Sequence, residues 1–240
     1  MKKMHFIDHL EELRWTLIKS IIAILIGACI SYRYADLILY WLIMPTQELS
    51  VDFSIQVLKV TSMFTVKLII AFFGGITLAF PMILYQSWSF ISPAFDKKYD
   101  FAIIFTFLFS IMFFILGIFF AYFIIIPFSL FFFTSLISET VEIQYNFTLE
   151  SYMTYILLII LGCGIMFQFP VLSTFLSWIG FLTTTFLIEY RKLAIVFFLI
   201  FSAFLTPPDP LSQIITCIPF VILYEISIVI AFLTNKKDVK

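Results

Sequence analysis

Few side chains in this 240-residue chain are equipped for chemistry, and two short polar segments each gather several of them. The first reads Asp8-His9-Leu10-Glu11-Glu12-Leu13-Arg14. Asp8, with Glu11 three residues on, has the spacing of a capping box, in which polar side chains satisfy the orphan N–H groups of a first helical turn. Phe6, Leu10, Leu13 and Leu17 recur at helical spacing and make one face apolar. Glu12 falls on the more polar face, three residues after His9. Two readings stay open: an interfacial helix that anchors a first crossing, or an exposed acidic docking site. The second segment is Asp96-Lys97-Lys98-Tyr99-Asp100, with two carboxylates four residues apart and two ammonium groups between them. It follows Tyr85, Trp88 and Phe90, aromatics suited to a membrane–water boundary. A solvated loop with anchoring aromatics is its plain reading.

Two further polar groups, Gln168 and Glu225, stand inside apolar runs. Such groups are expensive in lipid and usually face protein or a wet cavity. Gln168, two residues before Pro170, is placed to satisfy the carbonyl that the proline frees. Glu225 lies close enough to Lys236 to reach toward the same boundary. One Glu and one Gln make a poor proton relay. There is no Ser–Lys or Asp–Asp pair and no HExxH motif, so the chain does not read as an enzyme. His5 and His9 both lie in the N-terminal amphipathic stretch, which leaves no buried haem-ligand pair. Cys29, Cys163 and Cys217 sit in separate apolar runs without metal spacing and read as buried structural thiols. No cofactor, metal or nucleic-acid partner is implied.

The elements that position these groups are membrane helices. Hydrophobic residues make up 62% of the chain and charged residues 12%, against about half and a quarter in a soluble domain. Residues 101–138 and 151–188 are each 38 residues without a Lys, Arg, Asp or Glu. About 20 helical residues cross a hydrocarbon core of about 30 Å. Six crossings are expected in one membrane domain, at 20–44, 64–90, 101–133, 151–179, 193–206 and 211–233, preceded by an amphipathic segment at 1–19. If all six cross and the N-terminus is cytoplasmic, eleven Lys and Arg lie on that side and three (Arg33, Lys59 and Lys67) on the other. The positive-inside rule selects this orientation, with both termini cytoplasmic. The last two crossings are short and would thin the bilayer or tilt their neighbours. A re-entrant hairpin turning at Thr206-Pro207-Pro208-Asp209 is the alternative, and an ionised Asp209 in mid-bilayer speaks against it. Pro81, Pro127, Pro170 and Pro219 fall inside helices, where each frees a carbonyl that a neighbouring helix must satisfy. Four kinks suggest a curved wall in place of a straight bundle. Residues 45–63 are expected as a polar external loop with short amphipathic surface helices.

In order along the chain, His9-Leu10-Glu11-Glu12-Leu13-Arg14, Pro81, Gln86-Ser87-Trp88-Ser89-Phe90-Ile91-Ser92-Pro93, Phe167-Gln168-Phe169-Pro170, Thr206-Pro207-Pro208-Asp209, Ser212-Gln213, Pro219 and Tyr224-Glu225 form a set that resembles TatC, the multi-spanning subunit of the twin-arginine protein translocase. Any one motif is weak; the ordered set is specific and covers nearly the whole chain. The resemblance implies an all-α fold of six transmembrane helices in a cupped wall, with short fifth and sixth helices. It implies a receptor for twin-arginine signal peptides on folded proteins, driven by the proton-motive force. It also implies TatA-type single-span partners, with a TatB-type partner left open, and a homo-oligomer within the complex. The location it implies is the bacterial inner membrane, with an organelle inner membrane as the other option. A small-molecule or ion secondary transporter is the alternative function.

By that resemblance, Glu12 and Arg14 match recognition positions, and Phe90 would meet the apolar part of the signal peptide. Guanidinium–carboxylate bonds are charge-assisted and often bidentate. Glu12 would therefore receive an arginine, and Arg14 would order the acidic site through a neighbouring carboxylate. Relatives commonly carry a Glu nine residues after that Phe, where this chain has Tyr99; Asp96 or Asp100 is expected to supply the charge. Gln168 stands where many relatives have Glu. Pro45, Gln86, Pro93, Gln168, Pro170, Pro207, Pro208, Asp209 and Glu225 match positions expected to serve structure or assembly.

Overall fold

A computed structural model of the protein describes residues 6–47, 54–91, 100–135, 146–206 and 210–235. Helix α1 is Phe6–Arg33, and α2 is Ala35–Gln47, entered through a break at Tyr34. Strand β1 (Ser54–Gln56) leads to α3 (Ser62–Ile91). Helix α4 (Asp100–Phe120) passes through a π turn, Ala121–Ile125, into α5 (Ile126–Ser135). Strand β2 (Asn146–Thr148) leads to α6 (Leu149–Met166), α7 (Phe169–Trp178) and the short α8 (Thr184–Glu189). Helices α9 (Arg191–Leu205) and α10 (Pro210–Asn235) complete the order. Five helical stretches are long and apolar enough to cross a membrane, at Leu10–Arg33, Ser62–Phe90, Ile104–Phe133, Leu149–Trp178 and Gln213–Phe232. A shorter apolar stretch, Ala35–Thr46, lies in α2, and α9 has 15 residues.

The helices form a wall with unequal cover. Only 6% of the first span's apolar window is buried, against 67% of the fourth. Helix α6 is the central post, touching α3, α4 and α9, while α7 carries the packing on to α10. Helix α1 stands at one edge with α3 as its main neighbour. Small residues let those two backbones meet, as membrane helices without a hydrophobic drive between them require. A Cβ on Gly27 would stand 2.7 Å from the carbonyl oxygen of Gly75, and one on Gly74 would stand 2.5 Å from Ser31 Oγ. A second close approach joins α4 to α6, where a Cβ on Gly117 would stand 2.7 Å from the Cys163 carbonyl oxygen. Cys163 and Cys217 are buried as expected, but Cys29 is exposed on the poorly covered α1.

The prolines act as their chemistry dictates. Pro45 lies inside α2 and cannot bond the Trp41 carbonyl four residues back. Tyr122 Oη, from the π turn, donates to that oxygen at 2.8 Å, and Tyr152 Oη of α6 donates to the adjacent Leu42 carbonyl at 2.9 Å. Pro170 falls in the first turn of α7, where no intrahelical N–H partner is needed. The π turn ends two residues before Pro127, and the third crossing changes its helical phase there.

The segment expected as a loop at 45–63 differs from expectation, with its ends lying in α2 and α3. Within 45–63, expected to carry surface helices, residues 54–56 form a strand. It pairs in parallel with β2, in the register Ser54 with Asn146, Ile55 with Phe147 and Gln56 with Thr148. Alternate crossings require these two segments on one side, and the pairing joins them there. The far end of α9 is set low: a Cβ on Gly162 would meet Leu205 Cδ2 at 2.5 Å. Gly162 lies thirteen residues into α6, about 20 Å below that helix's first turn at 1.5 Å per residue.

Candidate functional site

The first acidic segment is part of a continuous helix. Residues 6–19, expected as a separate interfacial piece, run without a break into the first crossing as α1. Packing on α3 is antiparallel: Gly27 meets Gly75, while Lys19 and Met82 line one furrow. Seven residues back from Lys19 is Glu12, and seven on from Met82 is Ser89, so Glu12 stands level with the Ser89–Phe90 end of α3. Both Glu12 and Phe90 are half-buried. Arg14 Nη2 lies 3.5 Å from Glu11 Oε1, and its guanidinium carbon is 5.5 Å from the Trp15 ring centre. Arg14 and Glu11 are both well exposed, so their pair contributes little stability. It does turn the Arg14 charge toward Glu11.

The end of α3 is held by Trp88, whose ring packs edge-on against Phe175 of α7 at 4.5 Å between centres. Trp88 is 5% exposed and Tyr85 55%. The two aromatics read together as a boundary belt therefore differ: Tyr85 is exposed, edge-on to Phe107 of α4 at 6.2 Å between ring centres, and Trp88 anchors α3 to α7. Gln86 is buried, with Nε2 4.0 Å from Met82 Sδ. Asp100 opens α4 at the same end of the wall as Glu12 and Phe90. Pro93, Asp96, Pro207, Pro208 and Asp209 lie outside the described residues.

The remaining polar residues tie helices together. Gln168 sits in the break between α6 and α7, 7% exposed. Its Nε2 donates to the Ser110 carbonyl of α4 at 3.0 Å and reaches the Gly164 carbonyl at 3.5 Å. The carbonyl freed by Pro170 belongs to Met166, so Gln168 has a different task from the one its neighbourhood suggested: it joins α4 to the central post. Glu225 Oε2 accepts from Arg191 Nη2 at 3.0 Å, closing the base of α9 against α10. Lys236, the partner considered from spacing, lies outside the described residues. Tyr224 Oη donates to the Leu187 carbonyl at 2.6 Å beside that pair. Where α9 meets α10 higher up, Gln213 Nε2 donates to the Leu199 carbonyl at 2.9 Å and Ser202 Oγ to the Gln213 carbonyl at 3.0 Å.

An acidic helix end, a half-buried Phe level with it and an apolar wall make a surface suited to a cationic and apolar peptide. A family model described as Sec-independent protein translocase protein (TatC) matches residues 8–219. The chain belongs to the TatC family. It is 34% identical to the TatC protein of Carboxydothermus hydrogenoformans, covering 99% of this chain and 96% of that one. It is 34% identical to that of Aquifex aeolicus, covering 98% and 97%, and 31% identical to TatCy of Bacillus subtilis, covering 100% and 93%. A crystal structure of a twin-arginine translocase receptor TatC superposes with a TM-score of 0.84 at 34% identity, covering 95% of this chain and 99% of that one. The TatC fold, an all-α membrane protein of six spans, is thus the fold of this chain. The transporter alternative finds no support in these likenesses.

The TatC resemblance was carried by polar motifs at helix ends. The glycines that seat α1 on α3 carry no such motif. Their signal is the four-residue step from Gly27 to Ser31 facing the Gly74-Gly75 pair. Tyr122 and Tyr152 likewise gave no local sign of bonding to α2, because their acceptors are 81 and 110 residues away.

Proposed function

We propose that the chain is the signal-peptide receptor and core multi-spanning subunit of a twin-arginine translocase, exporting folded proteins with TatA-type partners at the expense of the proton-motive force. Both termini face the cytoplasm, and the membrane is a bacterial inner membrane. The observation that carries this reading is the placement of Glu12 level with Phe90 in a chain of the TatC fold. A leader carrying two arginines needs carboxylates, and each charge-assisted bond is roughly twice as strong as a neutral one. Glu12 receives one guanidinium. Asp96 or Asp100 supplies the remaining charge in place of the Glu that Tyr99 displaces. Phe90 meets the leader's apolar stretch. Arg14, turned to Glu11, does not oppose the incoming cations at Glu12. The chain performs no bond chemistry in this scheme.

The test is photocrosslinking from positions 12 and 90 to a twin-arginine leader, with export of a folded twin-arginine reporter as the activity readout. Crosslinks at both positions, lost when the leader arginines become glutamines, are expected. Reversing Asp96 and Asp100 to Lys together is expected to abolish leader binding; unchanged binding removes those two residues from the site. An outward-facing position 12 in a labelling experiment overturns the reading.

A further inference from the structure

We propose that the furrow between α1 and α3 is a binding site for an anionic phospholipid, with one acyl chain in the furrow and the phosphate on Lys19. The furrow holds about 400 Å³, within the range of small-ligand pockets. Gly27 and Ala79 make its floor, and Ile22, Ile26 and Ile30 make the α1 rim. Leu78 and Met82 make the rim on α3. The floor is low because the glycines that bring the two helices together leave no side chain to fill the seam. From Lys19 to Ile30 is eleven residues, about 16 Å of helix. That is about half the hydrocarbon core, the depth of a single leaflet.

Charge decides the occupant. Lys19 lines the mouth of an otherwise apolar furrow, is exposed, and joins no ion pair among the described residues. A transmembrane helix of another chain laid in the furrow would have to offer an acid at that height or leave the ammonium facing apolar surface. A phospholipid brings both parts, an apolar chain for the furrow and a phosphate for the lysine. The acids on α1 do not compete. Glu12 is seven residues away, about 10 Å along the axis, close to the screening length at physiological salt. The site covers the flank of a helix that is otherwise almost bare. It thereby fixes the height at which the α1 acidic segment emerges, whichever leaflet holds Lys19. The inference is independent of the receptor reading.

The full chain is placed in phosphatidylcholine nanodiscs with a trace of phosphatidylglycerol carrying a photoreactive group midway along one acyl chain, and adducts are mapped by mass spectrometry. Adducts are expected to concentrate on residues 22–30 and 78–82. Lys19→Gln is expected to lower them about fivefold, the scale of one lysine near an anionic surface. Lys192→Gln, which removes the same charge elsewhere, is expected to leave them unchanged. The same probe with a phosphocholine headgroup is expected to label the furrow about fivefold less. Even labelling over all exposed apolar faces overturns the proposal. So does equal labelling by the two headgroups, or indifference to Lys19→Gln. Absence of adducts with a cysteine crosslink from position 26 to another chain also overturns it, by assigning the furrow to a protein helix.

Discussion

Adding one methyl group at Gly75 tests whether backbone contact holds α1 in place. In Gly75→Ala the new Cβ stands 2.8 Å from the Ala28 amide nitrogen and 2.9 Å from both the Ala28 Cβ and the Ile24 carbonyl oxygen. Ordinary contact begins at 3.4 Å, so the helices must part by the 0.6 Å between 2.8 and 3.4 Å. Two of the three opposing atoms are backbone and cannot rotate aside. Overpacking of this kind costs about 1–3 kcal/mol. The gain in helix propensity from Gly to Ala, up to about 1 kcal/mol, offsets part of it. A net loss of about 1–2 kcal/mol is expected, and it falls on the main attachment that α1 has. The control is Gly162→Ala, whose Cβ meets only the Leu205 side chain, with Cδ2 nearest at 2.5 Å. These are the far atoms of a buried side chain, which can shift where backbone cannot, so its cost and the propensity gain should nearly cancel. The assay is thermal unfolding of purified protein in one detergent. At about 2–4 °C per kcal/mol for a chain of this size, Gly75→Ala should melt about 2–8 °C below the parent. Gly162→Ala should stay within about 2 °C of it. Equal Tm values for Gly75→Ala and the parent, or a larger fall for Gly162→Ala, would refute the reasoning.

Three further outcomes can be checked by the same melting assay. Tyr122→Phe removes the donor to the Trp41 carbonyl that Pro45 leaves unbonded; a loss of about 1–3 kcal/mol is expected for an unsatisfied acceptor, and restoring an N–H with Pro45→Ala should abolish the difference between Tyr and Phe at 122. Gln168→Leu keeps the side chain's bulk and removes the bond to Ser110; a loss of about 1 kcal/mol is expected, and no change would mean that α4 and α6 are held by the glycine contact at 117 alone. Arg191 and Glu225 are each nearly half-exposed; a double-mutant cycle should return less than about 1 kcal/mol of coupling, and the exchanged pair, Arg191→Glu with Glu225→Arg, should recover most of what either single change loses.

The architecture was legible wherever hydrophobicity along the chain carried it. The crossings follow from apolar length, and the family follows from an ordered set of polar motifs. What stayed hidden depends on partners distant in sequence. Trp88 and Tyr85 are three residues apart and both aromatic, yet only the distant elements packed around them, with Phe175 against Trp88, distinguish a buried anchor from an exposed ring. The strand at 54–56 exists because residues 146–148 lie beside it, and three residues alternating in polarity give no firm sign of that alone. Glu225 was visible as costly, but its partner could not be chosen between Lys236 nearby in sequence and Arg191 thirty-four residues back. Glu12 and Phe90 could be named separately. Their common height follows only from the glycine-set pairing of α1 with α3.

The π turn at Ala121–Ile125 has a consequence for evolution in this chain. It accommodates one surplus residue without interrupting the rod, and each residue turns the following side chains by about 100°. Deleting Ala121 would relax the backbone into a plain α-helix and rotate every side chain after it relative to α4, taking Tyr122 away from the α2 carbonyl it bonds. A single-residue gap in the middle of an unbroken hydrophobic segment, which ordinarily reads as misalignment, would here mark a genuine insertion. Its compensating change should be sought on α2, at the acceptor and not within the altered helix.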